Sequence, residues 1–226
     1  MPIASRDANA MVARLHYSGK WVRNSQLHLG AFVGPDCLGV MSFGPPMDKS
    51  KVLPLVRDTN WYDMLELNRM AFDDRLPRNS ESRCLAMARK LIFRQYPNIE
   101  WLLTFADGTQ CGDGTIYRAS GWELSGIRPN RTIYEFANGK RFAAMSLEAH
   151  WKSQTVADLC ADLGVEHIYR TRNAWVKMGL ARPLPGNQLR YMTFRDQSVR
   201  ERLTVPILPS SAIDDVGARM VRGQAK

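Results

Sequence analysis

The sequence predicts a mixed α/β (α+β) fold, in which helices flank a central sheet. Three segments support this prediction: strand-like runs at residues 27–43 and 99–105, and a helix-like segment over 82–95 between them. With 226 residues, of which 45% are hydrophobic, the chain is long enough to bury one substantial core.

The N-terminal half begins with a predicted β-hairpin. Residues 27–43, LHLGAFVGPDCLGVMSF, contain two apolar runs joined by the turn Gly34-Pro35-Asp36. Residues 61–71 (WYDMLELNRMA) alternate apolar and polar side chains, which is typical of a strand with one polar face. A polar turn with several N-cap candidates follows, and apolar spacing predicts a helix over 82–95 that Pro97 ends.

The C-terminal half begins with a buried strand. Residues 99–105, IEWLLTF, are almost entirely apolar, as expected of a strand covered on both faces. Further along, Asn138-Gly139 is a strong hairpin signal. The other predicted elements are a short helix over 115–121, a hairpin over 133–145, helical segments over 153–180 broken at Gly164, and a strand over 189–194.

Charge and composition narrow the function classes. The chain has 31 Lys and Arg against 22 Asp and Glu, a net charge of +9, which points to a polyanionic partner. No apolar run approaches the ~18 residues of a membrane span, and the charged residues Arg6, Asp7 and Arg14 argue against a signal peptide. The four cysteines form no C-x-x-C pair, which argues against a zinc finger or a disulfide framework. We therefore expect a cytoplasmic protein.

We expect one domain over residues 1–205 and a polar C-terminal tail over 206–226. Within the domain, residues 153–180 are predicted as a helical, basic insertion. Residues 153–177 have the outline of a helix-turn-helix, and an ordinary helical hairpin with a solvated basic face is the alternative. The candidate DNA contacts of this segment are Arg170, Arg172 and Lys177.

Two features around the central strand point to chemistry. The predicted helix that follows Arg78 presents free backbone N–H groups at its start, which bind phosphate or carboxylate, and Arg83 would strengthen that attraction. A capped helix with solvated arginines is the commoner alternative.

Asp107 follows the buried strand, where α/β sheets often bind ligands, and it is a candidate general base. On the next helix Tyr117 and Ser120 share a face. In the alternative interpretation, Asp107 is a turn residue and Tyr117 packs on the sheet.

A further candidate is His16, since histidine is the usual proton-transfer residue near neutral pH, although a lone histidine is more often structural. It precedes Tyr17. Together with the long motifs LELNRMAFDDRLPRNSESRCLA and ADGTQCGDGTIYRASGW, this pair resembles the Mom DNA-modification proteins of Mu-like phages, over about residues 12–195. The order of elements is similar to the GCN5-related N-acetyltransferase (GNAT) fold.

The resemblance implies an enzyme that adds a carbamoylmethyl (glycinamide) group to adenine N6 in DNA and so protects phage DNA from host restriction. The phosphate loop of this chain differs from that of ordinary acetyltransferases. Residues 78–83, RNSESR, contain no glycine and include Glu81, which would repel a pyrophosphate. A glycyl donor such as glycyl-tRNA, with rearrangement after transfer, would reconcile the fold with the product. An acetyl-CoA-like donor is the alternative, against which the loop counts. Double-stranded DNA and tRNA are then the expected partners, in the cytoplasm of the phage host.

The resemblance also implies roles for individual residues. The adenine is flipped out of the duplex, and Asp107 or His16 removes the N6 proton. Tyr17 and Tyr117 stack on the adenine or form a hydrogen bond to it. In an alternative mechanism, His16, Tyr17, Asp107 and Tyr117 are ligands of an iron ion. The expected donor-binding residues are Arg69, Arg78, Asn79, Ser80, Arg83 and Ser120.

Two other functions are compatible with the sequence. One is a DNA-binding protein without catalysis that uses residues 153–177. The other is an ordinary acetyltransferase, against which the missing loop glycines count. The donor, the metal requirement, the DNA sequence context and the oligomeric state, including a dimer, are left open.

Overall fold

The computed structural model describes residues 1–109, 112–147, 154–167, 171–221 and 224–225. The helices are α1 (Ser5–Leu15), α2 (Lys49–Val52), α3 (Ser80–Gln95), α4 (Thr115–Ala119), α5 (Ala144–Leu147), α6 (Gln154–Leu163), α7 (Arg172–Lys177), α8 (Gln197–Glu201) and α9 (Ala212–Asp215). The strands are β1 (Leu27–Val33), β2 (Asp36–Gly44), β3 (Met64–Phe72), β4 (Trp101–Asp107), β5 (Glu123–Pro129), β6 (Ile133–Phe136), β7 (Arg141–Ala143), β8 (Ala181–Pro183), β9 (Asn187–Phe194), β10 (Met220–Val221) and β11 (Gln224–Ala225).

The central sheet has six strands in the order β1-β2-β3-β4-β9-β5. Strands β3 and β4 are parallel because helix α3 returns the chain between them, and the other neighbouring pairs are antiparallel. The predicted α/β (α+β) fold with a mixed central sheet flanked by helices is therefore confirmed.

Most of the predicted elements are present, with shifted ends. The hairpin over 27–43 is β1 and β2, and the helix over 82–95 is α3. The strand expected over 61–71 begins only at Met64, because Asn60 and Asp63 form a capping box around a 3-10 turn. Helix α1, which the sequence analysis did not predict, buries Met11 and Val12 against the sheet.

Each face of the central sheet is covered by its own apolar cluster. On one face, Leu85 and Ile92 of α3 pack with Leu102 and Tyr191. On the other face, one cluster surrounds Trp101 and a second lies under α1. The second face is therefore covered by two separate clusters rather than by one continuous cluster.

A smaller unit lies between β5 and β9 in the chain. Strands β6, β7 and β8 form a three-stranded sheet, and helices α5, α6 and α7 pack on it around Phe136 and Trp175. The Asn138-Gly139 hairpin joins β6 to β7, as predicted. The expected helical segment over 153–180 contains α6 and α7, and β8 follows it directly. The division of the chain into residues 1–205 and a tail stays a prediction, although Ile213 and Ala218 are fully buried in the central cluster.

Strands β3 and β4 are paired only at their first three residues. The pairs are Met64 with Trp101, Leu65 with Leu102 and Glu66 with Leu103. Beyond them, Ser42 of β2 pairs with Arg69 and Phe43 pairs with Leu67, so that Asn68 is an extra residue in a β-bulge. A bulge bends its strand and increases the local twist, which explains why β3 leaves β4 here. The opening between the two strands begins at Glu66.

Helix α4 is fixed by the residue before it. Gly114 has φ +79°, and a Cβ at this position would overlap the ring of the fully buried Tyr191. The Tyr191 hydroxyl donates to the carbonyl oxygen of Asp113 at 2.5 Å. A residue with a side chain therefore fits neither the backbone conformation nor the space at Gly114.

We predict that Gly114→Ala destabilises the fold by about 3 kcal/mol, because left-handed strain adds to overpacking. The matched control is Gly139→Ala, which has a similar φ of +76° but open space around its Cβ. It should lose only about 1 to 2 kcal/mol from backbone strain. Urea denaturation measures both losses, and equal losses would contradict the packing of Tyr191 on Gly114.

Candidate active site

The β-bulge places two charged side chains on one face of the sheet. Before it, Leu67 faces α3, and after it Met70 faces α3 as well. Strand alternation on either side of Asn68 then turns Glu66 and Arg69 to the opposite face. Without the extra residue, the two side chains would lie on opposite faces of β3.

The Glu66 carboxyl has an unusual acidity. Burial raises its pKa from 4.5 to about 7, and the positive charge of Arg69 offsets only part of that effect. Near neutral pH the group therefore exists in both protonation states. A carboxyl with a pKa near the working pH is well suited to accept and release a proton.

Arg69 connects the bulge to the chain segment after α1. Its Nε donates to the carbonyl oxygen of Lys20 at 2.8 Å, and its Nη1 donates to the carbonyl oxygen of Asn68 at 2.7 Å. Burial lowers the pKa of the guanidinium, while Glu66 and Tyr17 raise it. The structure places Arg69 beside Glu66, Tyr17 and His16, and its role in donor binding stays a prediction.

His16 lies beside this guanidinium. Burial and the charge of Arg69 lower its pKa from 6.5 to about 4, so that the ring is neutral at pH 7. Its Nδ1 accepts from the backbone N–H of Ser18 at 3.1 Å, which assigns the proton of the neutral ring to Nε2. The ring also packs on Tyr17, with the centroids 4.2 Å apart. His16 is thus a weak base whose acceptor nitrogen is already occupied.

Asp107 lies at the far end of β4 from the paired residues. It is four residues beyond Leu103, the partner of Glu66, or about 13 Å along the strand. Strand alternation places it on the same face as Leu103 and Glu66. Its Oδ1 accepts from the backbone N–H of Thr109 at 2.9 Å, as in an Asx-turn.

Tyr117 and Ser120 belong to a different environment. The Tyr117 ring lies 5.3 Å from Tyr191 and 6.1 Å from Trp122, in the cluster that α3 covers. The buried hydroxyl of Ser120 donates to the carbonyl oxygen of Tyr117 at 2.9 Å. The structure therefore brings His16 and Tyr17 together with Arg69, and it places Tyr117 on the other face of the sheet.

The four residues named for iron do not fit a single metal site. His16 and Tyr17 border the cation of Arg69, which would repel a metal ion, and Tyr117 faces the opposite cluster. In the described ranges, no group of three or more His, Cys, Asp and Glu side chains is arranged to hold a metal ion.

A cleft of about 290 Å³ lies between the turn after β3 and helix α4. Asn79, with φ +68°, precedes α3 without a side-chain cap, and Arg83 is exposed on the first turn. The Ser80 hydroxyl is bonded to Pro77 O at 2.6 Å. The residues that line the cleft are Asp73, Asp74, Leu76, Pro77, Arg78, Asn79, Glu81, Ser82, Thr115, Ile116 and Ala119. The lining therefore has three carboxylates against one arginine, whereas a phosphate site needs an excess of positive charge.

The predicted DNA contacts lie in the smaller unit. Arg172 and Lys177 are exposed on α7, which packs through the buried Trp175. Arg170 lies outside the described residues. None of the helices in the described ranges has both the length and the apolar character that a membrane crossing requires.

Sequence reasoning missed Glu66. The available signal was a carboxylate between two leucines in a strand, Leu65-Glu66-Leu67, followed by an arginine three residues later. A buried carboxylate in an apolar strand needs a reason. The bulge that brings Arg69 to the same face has no signature in the sequence.

Comparison with known proteins adds sequence and structural relatives. The model of the Mom protein family matches residues 1–212. The methylcarbamoylase mom of Escherichia phage Mu is 32% identical over 201 residues, which are 88% of this chain and 76% of that protein. The family match includes all the residues of the candidate active site.

Two solved acetyltransferases are similar in structure. An acetyltransferase of Bacillus subtilis in complex with CoA has a TM-score of 0.42 at 8% identity, and the match covers 85% of this chain and 93% of that one. The IAA acetyltransferase of Bacillus cereus has a TM-score of 0.42 at 10% identity, and the match covers 86% and 97%.

We predict that Glu66→Gln stabilises the protein at pH 8 and has little effect at pH 5. The native pKa of about 7 lies above the ordinary 4.5, so that native stability is lost as the pH rises between these values. Glutamine stays neutral and should recover about 2 to 3 kcal/mol at pH 8. Urea denaturation at both pH values measures the gain, and no gain at pH 8 would contradict a raised pKa.

His16→Asn is the control of opposite sign. The native pKa of about 4 lies below 6.5, so that wild-type stability is lost as the pH falls through this window. Asparagine keeps an acceptor for the Ser18 N–H and has no such titration. On going from pH 8 to pH 5, His16→Asn should therefore gain about 2 kcal/mol of stability relative to the wild type.

Proposed function

Because the chain belongs to the Mom protein family, we propose that it is a phage DNA-modification enzyme that transfers a carbamoylmethyl group to adenine N6. The observation that supports this mechanism most strongly is the Glu66 carboxyl, whose pKa is about 7 at the opening between β3 and β4. The modification would protect phage DNA from host restriction, and the enzyme would act in the cytoplasm of the host.

The substrate determines which base is needed. The N6 lone pair of adenine is delocalised into the ring, so that a proton must leave N6 as the new bond forms. Glu66 matches this task better than His16, whose pKa is about 4 and whose Nδ1 is occupied. Asp107 already accepts a backbone N–H in its turn. We therefore assign the proton transfer to Glu66 in the proposed mechanism.

Neighbouring residues would hold the flipped adenine and the Glu66 carboxyl. Adenine N6 inside a duplex is out of reach of a half-buried carboxyl, and the nucleotide must be flipped out. Tyr17, whose ring packs on His16 and is 55% exposed, would stack on the flipped adenine. Arg69 is fixed by two carbonyl oxygens and would stabilise the ionised form of Glu66.

The donor would occupy the cleft before α3. Arg78 and the start of α3 attract an anionic part of the donor, whereas Asp73, Asp74 and Glu81 attract a cationic part. The glycyl ester of a tRNA combines a cationic ammonium group with the anionic phosphates of the tRNA. This combination of charges suits the mixed lining of the cleft better than a bare pyrophosphate does. Attack by N6 on the ester carbonyl would release the donor hydroxyl and give a glycyl amide. This amide is an isomer of the carbamoylmethyl product, so that the later rearrangement needs no further reactant.

We predict that plasmid DNA from cells expressing the wild-type chain contains a deoxyadenosine that is heavier by one carbamoylmethyl group. Glu66→Gln should lower its amount by at least about 100-fold, because a general base contributes that much or more. Mass spectrometry of the nucleosides measures the product. The matched control is Glu201→Gln, an exposed carboxyl on α8, which should leave the modification unchanged.

The variants Asp107→Asn and His16→Asn separate the three candidate bases. Full modification with Glu66→Gln and loss with one of the other two would assign the base to that residue. Unmodified DNA in the presence of soluble wild-type protein would favour a DNA-binding protein without catalysis.

A further inference from the structure

The segment after α1, residues 16–26, exposes two aromatic side chains beside the site. Tyr17 is 55% exposed and Trp21 is 50% exposed. The other tryptophans in the described part of the chain are buried or half-buried, namely Trp61, Trp101, Trp122 and Trp175. Water contact with a large apolar ring is unfavourable, so that an exposed tryptophan beside an active site points to a ligand.

This segment is bonded firmly to the strands beneath it. Arg69 Nε donates to Lys20 O at 2.8 Å, immediately before Trp21, and Ser25 Oγ donates to Asn68 Oδ1 at 3.0 Å. Asn24 Nδ2 donates to the carbonyl oxygen of Pro45 at 2.6 Å. A backbone held at these points presents the Trp21 ring with little conformational entropy left to lose on binding.

The anchors also fix where the ring lies. Two of them are Asn68 and Arg69, the bulge residues that follow Glu66 in β3. A nucleobase that approaches the Glu66 carboxyl from the face of Arg69 therefore meets residues 16–26 on its way.

The charge of residues 16–26 suits a nucleic acid. The segment contains Lys20 and Arg23, both exposed, and no Asp or Glu. In contrast, the cleft before α3 is lined by Asp73, Asp74 and Glu81. Exposed aromatic rings next to cations are the combination that binds unpaired nucleotides, with stacking on the base and charge contacts to phosphate.

We propose that residues 16–26 are a nucleobase-binding surface, on which Trp21 stacks on an unpaired base of the DNA while Lys20 and Arg23 contact the adjacent phosphates. The inference rests on the proposed DNA substrate, and it adds a stacking residue and a binding surface to that proposal. Trp21 would hold the DNA open while Tyr17 contacts the flipped adenine.

The test measures DNA binding and does not require turnover. The probe is a DNA duplex with one unpaired adenine, compared with the fully paired duplex of the same sequence, and binding is followed by fluorescence anisotropy. The wild type should bind the unpaired probe more tightly, and Trp21→Ala should weaken that binding by about 5- to 100-fold, the range for loss of one stacked base. Trp21→Phe should retain most of the affinity, because a phenyl ring still stacks.

Tyr96→Ala is the matched control, an aromatic side chain 42% exposed at the end of α3. It should bind both duplexes like the wild type. Tryptophan fluorescence gives a second readout: the unpaired probe should quench the wild type more than Trp21→Phe. Equal affinity of wild type and Trp21→Ala for the unpaired probe, with equal quenching in wild type and Trp21→Phe, would overturn the inference.

These outcomes are separate from those of the modification assay. Modified plasmid DNA together with unchanged binding by Trp21→Ala would overturn the role of Trp21 and leave the proposed function in place. Weakened binding by Trp21→Ala without any modified nucleoside would support the binding surface and count against the transferase.

Discussion

The extra residue in β3, Asn68, determines the geometry of the candidate site. It turns Glu66 and Arg69 to one face and coincides with the point at which β3 leaves β4 after three paired residues. Its side chain and its carbonyl oxygen are both bonded, to Ser25 and to Arg69, so that the bulge also holds the segment after α1. The opening in the sheet, the half-buried carboxyl and the adjacent aromatic surface therefore depend on one local irregularity.

The charges around this bulge act on one another. Burial makes the Glu66 carboxyl a weaker acid, and the same guanidinium that partly offsets this effect also keeps His16 neutral. Glu66 and His16, which both interact with Arg69, have pKa values shifted in opposite directions from their ordinary values, to about 7 and about 4. Because the two pKa values differ in this way, Glu66 can serve as the proton acceptor while His16 stays a neutral, hydrogen-bonded ring.

The sequence contained much of the fold and part of the site. Apolar patterns predicted the first hairpin, α3 and β4, because these elements each bury a regular stripe of side chains. Helix α1 was missed, since its polar composition hides a short apolar face at Met11 and Val12. Strand pairing joins residues that are far apart in the sequence. The sequence therefore predicts the strands, but not that Asn68 has no paired residue in β2. For this reason the sequence did not single out Glu66, although its motif was recognised, and the assignment of Arg69 to the donor stays a prediction.

The proposed transfer depends on a Glu66 carboxyl that titrates near neutral pH in the folded protein. Carbon-13 NMR of the glutamate side-chain carboxyls, followed from pH 4 to pH 9, measures this directly, and the resonance that disappears in Glu66→Gln identifies the residue. We expect a midpoint of about 7 for that resonance. A midpoint near the ordinary 4.5 would contradict it, since Glu66 would then be ionised throughout and too weak a base for the proposed transfer.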